Sequence, residues 1–173
     1  MVSSITVANE FISLAKKDGY YFTPMQLLKL VYIAHGWMFG FFNEPLIDDD
    51  IEAWKYGPVI PNLYQAIKNY GSRQIEDIIN LPFLQRFQNN ESMNEKQKKV
   101  VEFVYKKYGK LDGIKLSMLT HQPNTPWDKA FDEYTWGKKI PNVEIHQHYR
   151  NLHQEMIRDY EQRHHSNRAS TVN

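Results

Sequence analysis

Side chains able to bind a metal or move a proton are few in this chain, and their spacing limits what they can do. His146, His148, His153, His164 and His165 crowd its C-terminal part. Two ligands on one helix face need a spacing of three or four. These stand two, five and one apart where it matters, and no His-Glu-x-x-His occurs. No specific metal centre is expected there. Asp48, Asp49 and Asp50 form an acidic run. Consecutive residues point different ways and no ligand run continues past them, so a solvated turn is expected over a divalent-cation site. There is no cysteine, which excludes disulfides, zinc–thiolate sites and cysteine nucleophiles.

His121 is the remaining candidate. It lies in LTHQPNTPW, at a predicted helix end and six residues before Trp127. As a catalyst it would need a nucleophile and an orienting carboxylate, with Glu52 or Asp128 as carboxylates and Lys29 as a further participant. Alternatively His121 hydrogen-bonds its loop and fixes the turn into Trp127, and this is the expectation. No Gly-x-Ser-x-Gly, P-loop or Gly-rich dinucleotide turn is present, so no catalytic residue and no cofactor are assigned and the chain is not expected to be an enzyme.

The element that must position these residues is Thr23–Asn43, TPMQLLKLVYIAHGWMFGFFN. Thr23 and Gln26 form a capping box, and Pro24 occupies the first helical position, where a missing N–H costs nothing. The helix that follows, about 24–42, is apolar almost all round and is expected to be buried by its neighbours. Lys29 and His35 interrupt it, and the apolar run is too short for a membrane span. Gly36 and Gly40 share one face. They make a smooth patch for a closely packed helix or for a ligand or partner.

Around this centre a mainly α, compact multi-helix domain is expected. Residues 4–17 read as an amphipathic helix through Ile5, Ala8, Phe11, Ile12 and Ala15. A short β-ribbon is expected at about 46–56, with Leu46-Ile47 as one arm, Ile51–Tyr56 as the other and Asp48–Asp50 in the turn. Glu52, Trp54 and Tyr56 would then share one face. Helices are predicted from Pro61, from the Asn94/Gln97 capping box to Tyr108, from Asp112 to His121, from Thr125-Pro126, and from Pro141 to about Gln162. The apolar stripe of the last runs through Val143, Ile145, Tyr149, Leu152, Met156 and Tyr160. Residues 72–93 read as a lightly packed excursion through Leu81, Phe83, Leu84 and Phe87, with a polar loop from Gln88. One domain over 1–163 and a mobile polar tail over 164–173 are expected.

Lys+Arg 21 against Asp+Glu 20 gives a formal charge of +1. Residues 1–60 carry −3 and residues 61–140 carry +4. Nucleic-acid binders usually show a denser basic stripe. The helix from Glu95, with Lys96, Lys98, Lys99, Lys106 and Lys107, is the one candidate recognition helix, and a solvated face explains it more simply. The start, MVSSITVANEF, lacks a basic region and a long apolar run. No secretory leader is therefore expected, and a cytoplasmic location is.

Three stretches together resemble one family. They are LLKLVYIAHGWMFGFFNEPLIDDDIEAWKYGPVIPNLY, LSMLTHQPNTPWDKAF and the run Ile140–Ile145–Tyr149. They are similar to the Panacea domain, also called the SocA-like antitoxin domain or phage-associated GepA type. Its elements here are L-x-K-L-x-Y (Leu27, Lys29, Leu30, Tyr32), E-A-W-x-x-G-P-V (Glu52 to Val59) and T-H-x-x-x-x-P-W (Thr120 to Trp127). The resemblance covers about residues 5–150. It implies a binding protein, the antitoxin of a two-gene module often carried by prophages. Such a protein neutralises a cognate protein toxin by direct binding, alarmone-synthetase-like toxins among them, and a higher-order complex with the toxin is one expected assembly. An alternative role in the family is a proteolytic adaptor delivering the toxin to a ClpXP-type protease. A hydrolase-like enzyme and a DNA-binding regulator are the other readings. Residues expected to bind the partner or carry the motif are Lys29, Glu52, Trp54, Lys55, Tyr56, Gly57, Pro58, Thr120, His121 and Trp127. Trp54 and Tyr56 can serve as partner anchors or pack on the central helix.

Overall fold

A capping box opens the helix on which the others assemble. Thr23 N donates to Gln26 Oε1 (3.0 Å) and Gln26 N donates to Thr23 Oγ1 (3.4 Å). In this computed structural model residues 1–80 and 92–169 are described, with side chains up to Arg163. The helix, α2, spans Pro24–Phe42 and ends where Asn43 turns left-handed (φ 56°). Every residue from Gln26 to Gly40 is buried. It is covered by α1 (Ser4–Lys17), α3 (Pro61–Ile67), α4 (Glu95–Tyr108), α5 (Gly113–Thr120) and α7 (Asn142–Ala169). A short helix, α6 (Pro126–Ala130), packs on α7. The chain is mainly helical, with a small sheet, as expected.

The caps predicted at Asn94/Gln97, Asp112 and Thr125 form, and Ser3 supplies one beyond those predicted. Ser3 caps α1, the Asn94/Gln97 box caps α4, Asp112 accepts from Lys115 N at 2.8 Å, and Thr125 accepts from Asp128 N at 3.3 Å. Each satisfies amides that the first helical turn leaves without partners.

Gly36 and Gly40 face α7. A methyl group on Gly36 would overlap the Tyr149 ring, and one on Gly40 would come within 2.9 Å of the Tyr149 carbonyl oxygen. The smooth patch is thus a helix-crossing seat, filled by a buried tyrosine that also meets Trp37 (5.6 Å) and Tyr32 (6.3 Å) edge to face.

His35 interrupts the apolar run for a structural reason. Its Nδ1 accepts from the amides of Leu46 (3.3 Å) and Ile47 (3.2 Å), and its Nε2 lies 3.0 Å from Asn142 Oδ1. Burial lowers its pKa to about 4, which keeps the ring neutral.

The ribbon differs from the expectation. Leu46-Ile47 is not an arm of it. Its amides are taken by His35, and Ile47 makes only an isolated bridge to Val2. The sheet has strand order β2-β1-β3, with β1 (Glu52–Trp54), β2 (Gly57–Val59) and β3 (Lys138–Lys139), all antiparallel neighbours. Asp48–Asp50 lie before it. Asp49 accepts from Ser4 N (2.7 Å) and Asn62 Nδ2 (2.6 Å), and Asp50 pairs with Lys139 at 2.6 Å. Among the described residues no group of three acidic, histidine or cysteine side chains is placed to hold a metal ion.

One further boundary shifts. The α7 helix runs to Ala169, past the expected end near Gln162 and into the expected tail. Its buried stripe keeps Ile145 and Tyr149, with Leu152 and Met156 partly buried, whereas Val143 and Tyr160 are exposed. The excursion through Leu81, Phe83, Leu84 and Phe87 and the start of the polar loop lie outside the described residues. Before them, Ile75 bridges to Phe22 and Ile79 N donates to Asn9 Oδ1 at 2.7 Å. No described helix is long and apolar enough to cross a membrane.

Candidate functional site

Trp54 pairs with Gly57 across β1 and β2, so Lys55 and Tyr56 make a two-residue turn. A turn carries carbonyls that its own ladder does not use, and each needs a donor. Here side chains from three other elements supply them. Trp127 Nε1 donates to Trp54 O at 2.8 Å, and Ser117 Oγ donates to Tyr56 O at 3.0 Å. His121 Nε2 lies 3.2 Å from Lys55 O. Lys29 Nζ donates to Pro58 O at 3.0 Å. The L-x-K-L-x-Y, E-A-W-x-x-G-P-V and T-H-x-x-x-x-P-W elements of the Panacea-like signature thus meet at one turn.

Local structure aims each donor. Lys29 projects from the second turn of α2. Ser117 and His121 stand four apart, one helical turn, with His121 as the C-cap of α5. His121 Nδ1 is 2.7 Å from Ser117 O and 3.1 Å from Ser117 Oγ, which fixes the ring. Thr120 Oγ1 donates back to Ser117 O (2.9 Å), and Thr125 Oγ1 donates to Thr120 O (3.1 Å). Together they hold the loop that delivers Trp127. The Trp127 ring stacks on Phe131 (4.6 Å) and lies 4.0 Å from the His121 ring.

Gly57 has φ 106°, a conformation open to glycine. A methyl group there would also meet Lys29 Nζ at 2.7 Å and His121 Cε1 at 3.2 Å. Lys29 and His121 therefore converge over Gly57. Burial alone lowers Lys29 to a pKa of about 7.

The outer side of the ribbon is aromatic. Trp54 Nε1 donates to Glu52 Oε2 at 2.8 Å, which keeps both on one face as expected. The Trp54 ring is half-buried between Tyr64 (4.9 Å) and Trp136 (4.7 Å). It packs on the neighbouring helix α3 and on the loop before β3. Tyr56 does not share that face. It sits in the turn and is 64% exposed, with Lys55 Nζ 5.9 Å above its ring.

No catalytic relay assembles from the predicted candidates. Both ring nitrogens of His121 face carbonyl oxygens, Glu52 is engaged by the Trp54 indole, and Asp128 Oδ2 accepts from Asn124 N at 2.9 Å. On α4, Lys96 pairs with Glu44 (3.1 Å), and Lys107 lies over the Trp37, Phe103 and Tyr108 rings. These lysines serve the fold's own contacts.

Sequence reasoning missed Ser117, Tyr64, Tyr134 and Trp136. For Ser117 the signal was its spacing of four from His121. Tyr134 and Trp136 are 91% and 74% exposed. They lie in a stretch with no periodicity to read, and the aromatic pair in EYTWGKK was the only sign of them.

The profile of the family described as antitoxin SocA-like, Panacea domain, matches residues 27–128. Those bounds take in Lys29, the hairpin, His121 and Trp127. The chain is also similar to antitoxin SocA of Caulobacter vibrioides (strain NA1000 / CB15N). The two are 28% identical over 134 residues, which cover 73% of this chain and 69% of that protein. No solved structure matches the chain. The four-carbonyl clamp and the matched span coincide, and the chain belongs to the SocA-like antitoxin family defined by the Panacea domain.

Proposed function

We propose that the chain acts as an antitoxin that neutralises a cognate protein toxin by covering it. The contact face is the hairpin turn with Trp54, Lys55 and Tyr56, extended by Trp136. The observation that carries this reading is a rigid turn with exposed aromatic residues. Tyr56 and Trp136 are open to solvent, and the backbone that carries Tyr56 is tied by Lys29, Ser117, His121 and Trp127. Trp and Tyr are the residue types that most often dominate binding energy. Holding them on a fixed backbone lowers the ordering cost of association. Family membership and the likeness to a protein named antitoxin SocA supply the toxin as partner. In this reading Lys29, Gly57, Pro58, Thr120, His121 and Trp127 shape the turn, and Trp54, Lys55 and Tyr56 touch the toxin.

The test mixes purified toxin, from the gene adjoining this one, with protein truncated after Gln162, in the absence of any protease. Full inhibition at an equimolar ratio is the expected outcome. A toxin that stays active in that mixture, yet is silenced in cells only when a ClpXP-type protease is present, would establish the adaptor mechanism instead.

A further inference from the structure

Between α2 and the hairpin lies a pocket of about 410 Å³, within the range of ligand sites. Met25, Leu28, Trp54, Val59, Tyr64 and Trp136 give it apolar and aromatic walls. Among the described residues its charged lining side chains are Lys29 and Lys55, and no carboxylate lines it. Glu52, the acid nearest in the strand, is tied to the Trp54 indole N–H. Lys29 is 2% exposed, and its Nζ donates to Pro58 O at 3.0 Å. Lys55 is exposed, at the turn. The pocket thus pairs an apolar wall with a buried lysine and an exposed one, and among the described residues it holds no acidic side chain to answer them.

We propose that this pocket receives the C-terminal residue of the partner protein, an apolar side chain seated against Trp54 and Trp136, with its α-carboxylate answered by Lys29 and Lys55. Charge complementarity selects a carboxylate, and the walls select an apolar body. A chain end carries both on one residue. An internal segment would have to bring both of its chain arms past Tyr56 and Trp136. Its acidic and apolar groups would also come from different residues. An amine held near neutrality by burial takes up its charge fully when a carboxylate arrives, which ties the two groups together. This proposal rests on the toxin-covering reading for the identity of the partner.

The full chain is titrated with three capped peptides, without toxin, so failure here leaves the inhibition assay standing, and failure of that assay leaves the peptide result readable. The first is N-acetyl-Gly-Leu-Phe with a free carboxylate. The second is its C-terminal amide. The third is the amide with Glu in place of Leu. The indole N–H signals of Trp54 and Trp136 are followed by NMR. The free acid is expected to shift both and to bind about ten-fold tighter than the amide. The Glu peptide should bind no better than the amide. Lys29→Met should bring the acid down to the amide, and Lys55→Ala should shrink the preference even if Lys29→Met does not fold. Trp136→Ala should weaken both peptides alike. Equal binding of acid and amide, a Glu peptide matching the acid, a preference that survives both lysine substitutions, or no shift at about 10 mM peptide, far above the weakest specific affinities, would each overturn the proposal.

Discussion

The α2 helix and the hairpin turn are held by opposite means. From Leu27 to Gly40 the helix is buried on all sides, and what fixes it is area and shape: Trp37 meets Phe103 of α4, Trp37 and Tyr32 meet Tyr149 of α7, Leu30 and Met38 are buried, and Gly36 and Gly40 admit Tyr149. Such burial is non-directional and spread over many residues, each fully buried large side chain contributing about 1.5–3 kcal/mol. The turn at Lys55-Tyr56 is exposed. It is held by directional bonds from Lys29, Ser117, His121 and Trp127 to its carbonyls. Each bond adds only about 0.5–1.5 kcal/mol net, but it fixes a backbone position without using the outward side chains. The contrast leaves aromatic side chains exposed above a backbone whose carbonyls at Trp54, Lys55, Tyr56 and Pro58 are engaged, which is what the proposed partner face requires.

The largest expected effect lies on the α2 side. Gly36→Leu would drive a side chain into the Tyr149 ring, in a place closed by two helices. Overpacking of this kind costs about 3 kcal/mol or more where backbone must move. Urea denaturation should show the loss. An unchanged midpoint would mean that α7 does not seat on Gly36, and the picture of a helix held by shape would fail.

Lys29 belongs to both regions, which makes it the next test. It is rooted in α2 and bonded to the turn. Its pKa falls from 10.5 to about 7 in the fold because burial penalises the charge. The unfolded chain therefore binds more protons between about pH 7 and pH 10.5, and stability rises with pH across that window. The cost is fully present below pH 7. From pH 7 to pH 9 the gain should be about 2 kcal/mol, and Lys29→Met should flatten it. A stability profile that is flat or falling in the wild-type chain over this range would place the amine in water, not under the turn.

The same contrast explains what the sequence reveals. The α2 helix is legible because its signals are local: the Thr23/Gln26 box and Pro24 at its start, the apolar run through it, and the two glycines four apart. The turn is legible only through its motif. Its donors come from positions 29, 117, 121 and 127, and apart from the helical step from Ser117 to His121 no periodicity links them. The register of the ribbon misleads for two reasons. Three aspartates look like a turn, and Lys55-Tyr56 lacks the Asn-Gly or Asp-Gly signature of a tight hairpin. Gly57, at φ 106°, was the residue that marked the real turn. Leu46-Ile47 looks like a strand arm, but His35 takes its amides, a pairing eleven and twelve residues away that only the fold brings about. Trp136 stays hidden because it gains its meaning from Trp54, far away in the chain.

The smallest effects separate backbone from side chain within the turn itself. Ser117 Oγ donates to the carbonyl of Tyr56, not to its ring. Ser117→Ala removes the donor and should cost about 1 kcal/mol. It also loosens the turn on which Tyr56 stands. Tyr56→Ala keeps the carbonyl and the donor and removes a ring that is mostly in solvent, so its stability should stay within about 0.5 kcal/mol of wild type. On toxin affinity the order reverses. Tyr56→Ala removes the contact surface and should weaken binding by more than about 1 kcal/mol, while Ser117→Ala keeps every outward side chain and should weaken it less. Thermal melts and titration of toxin activity on the same two variants give both orders. If Tyr56→Ala destabilises the chain more than Ser117→Ala does, the turn is held by its ring, and the division between a clamped backbone and a free aromatic face is lost.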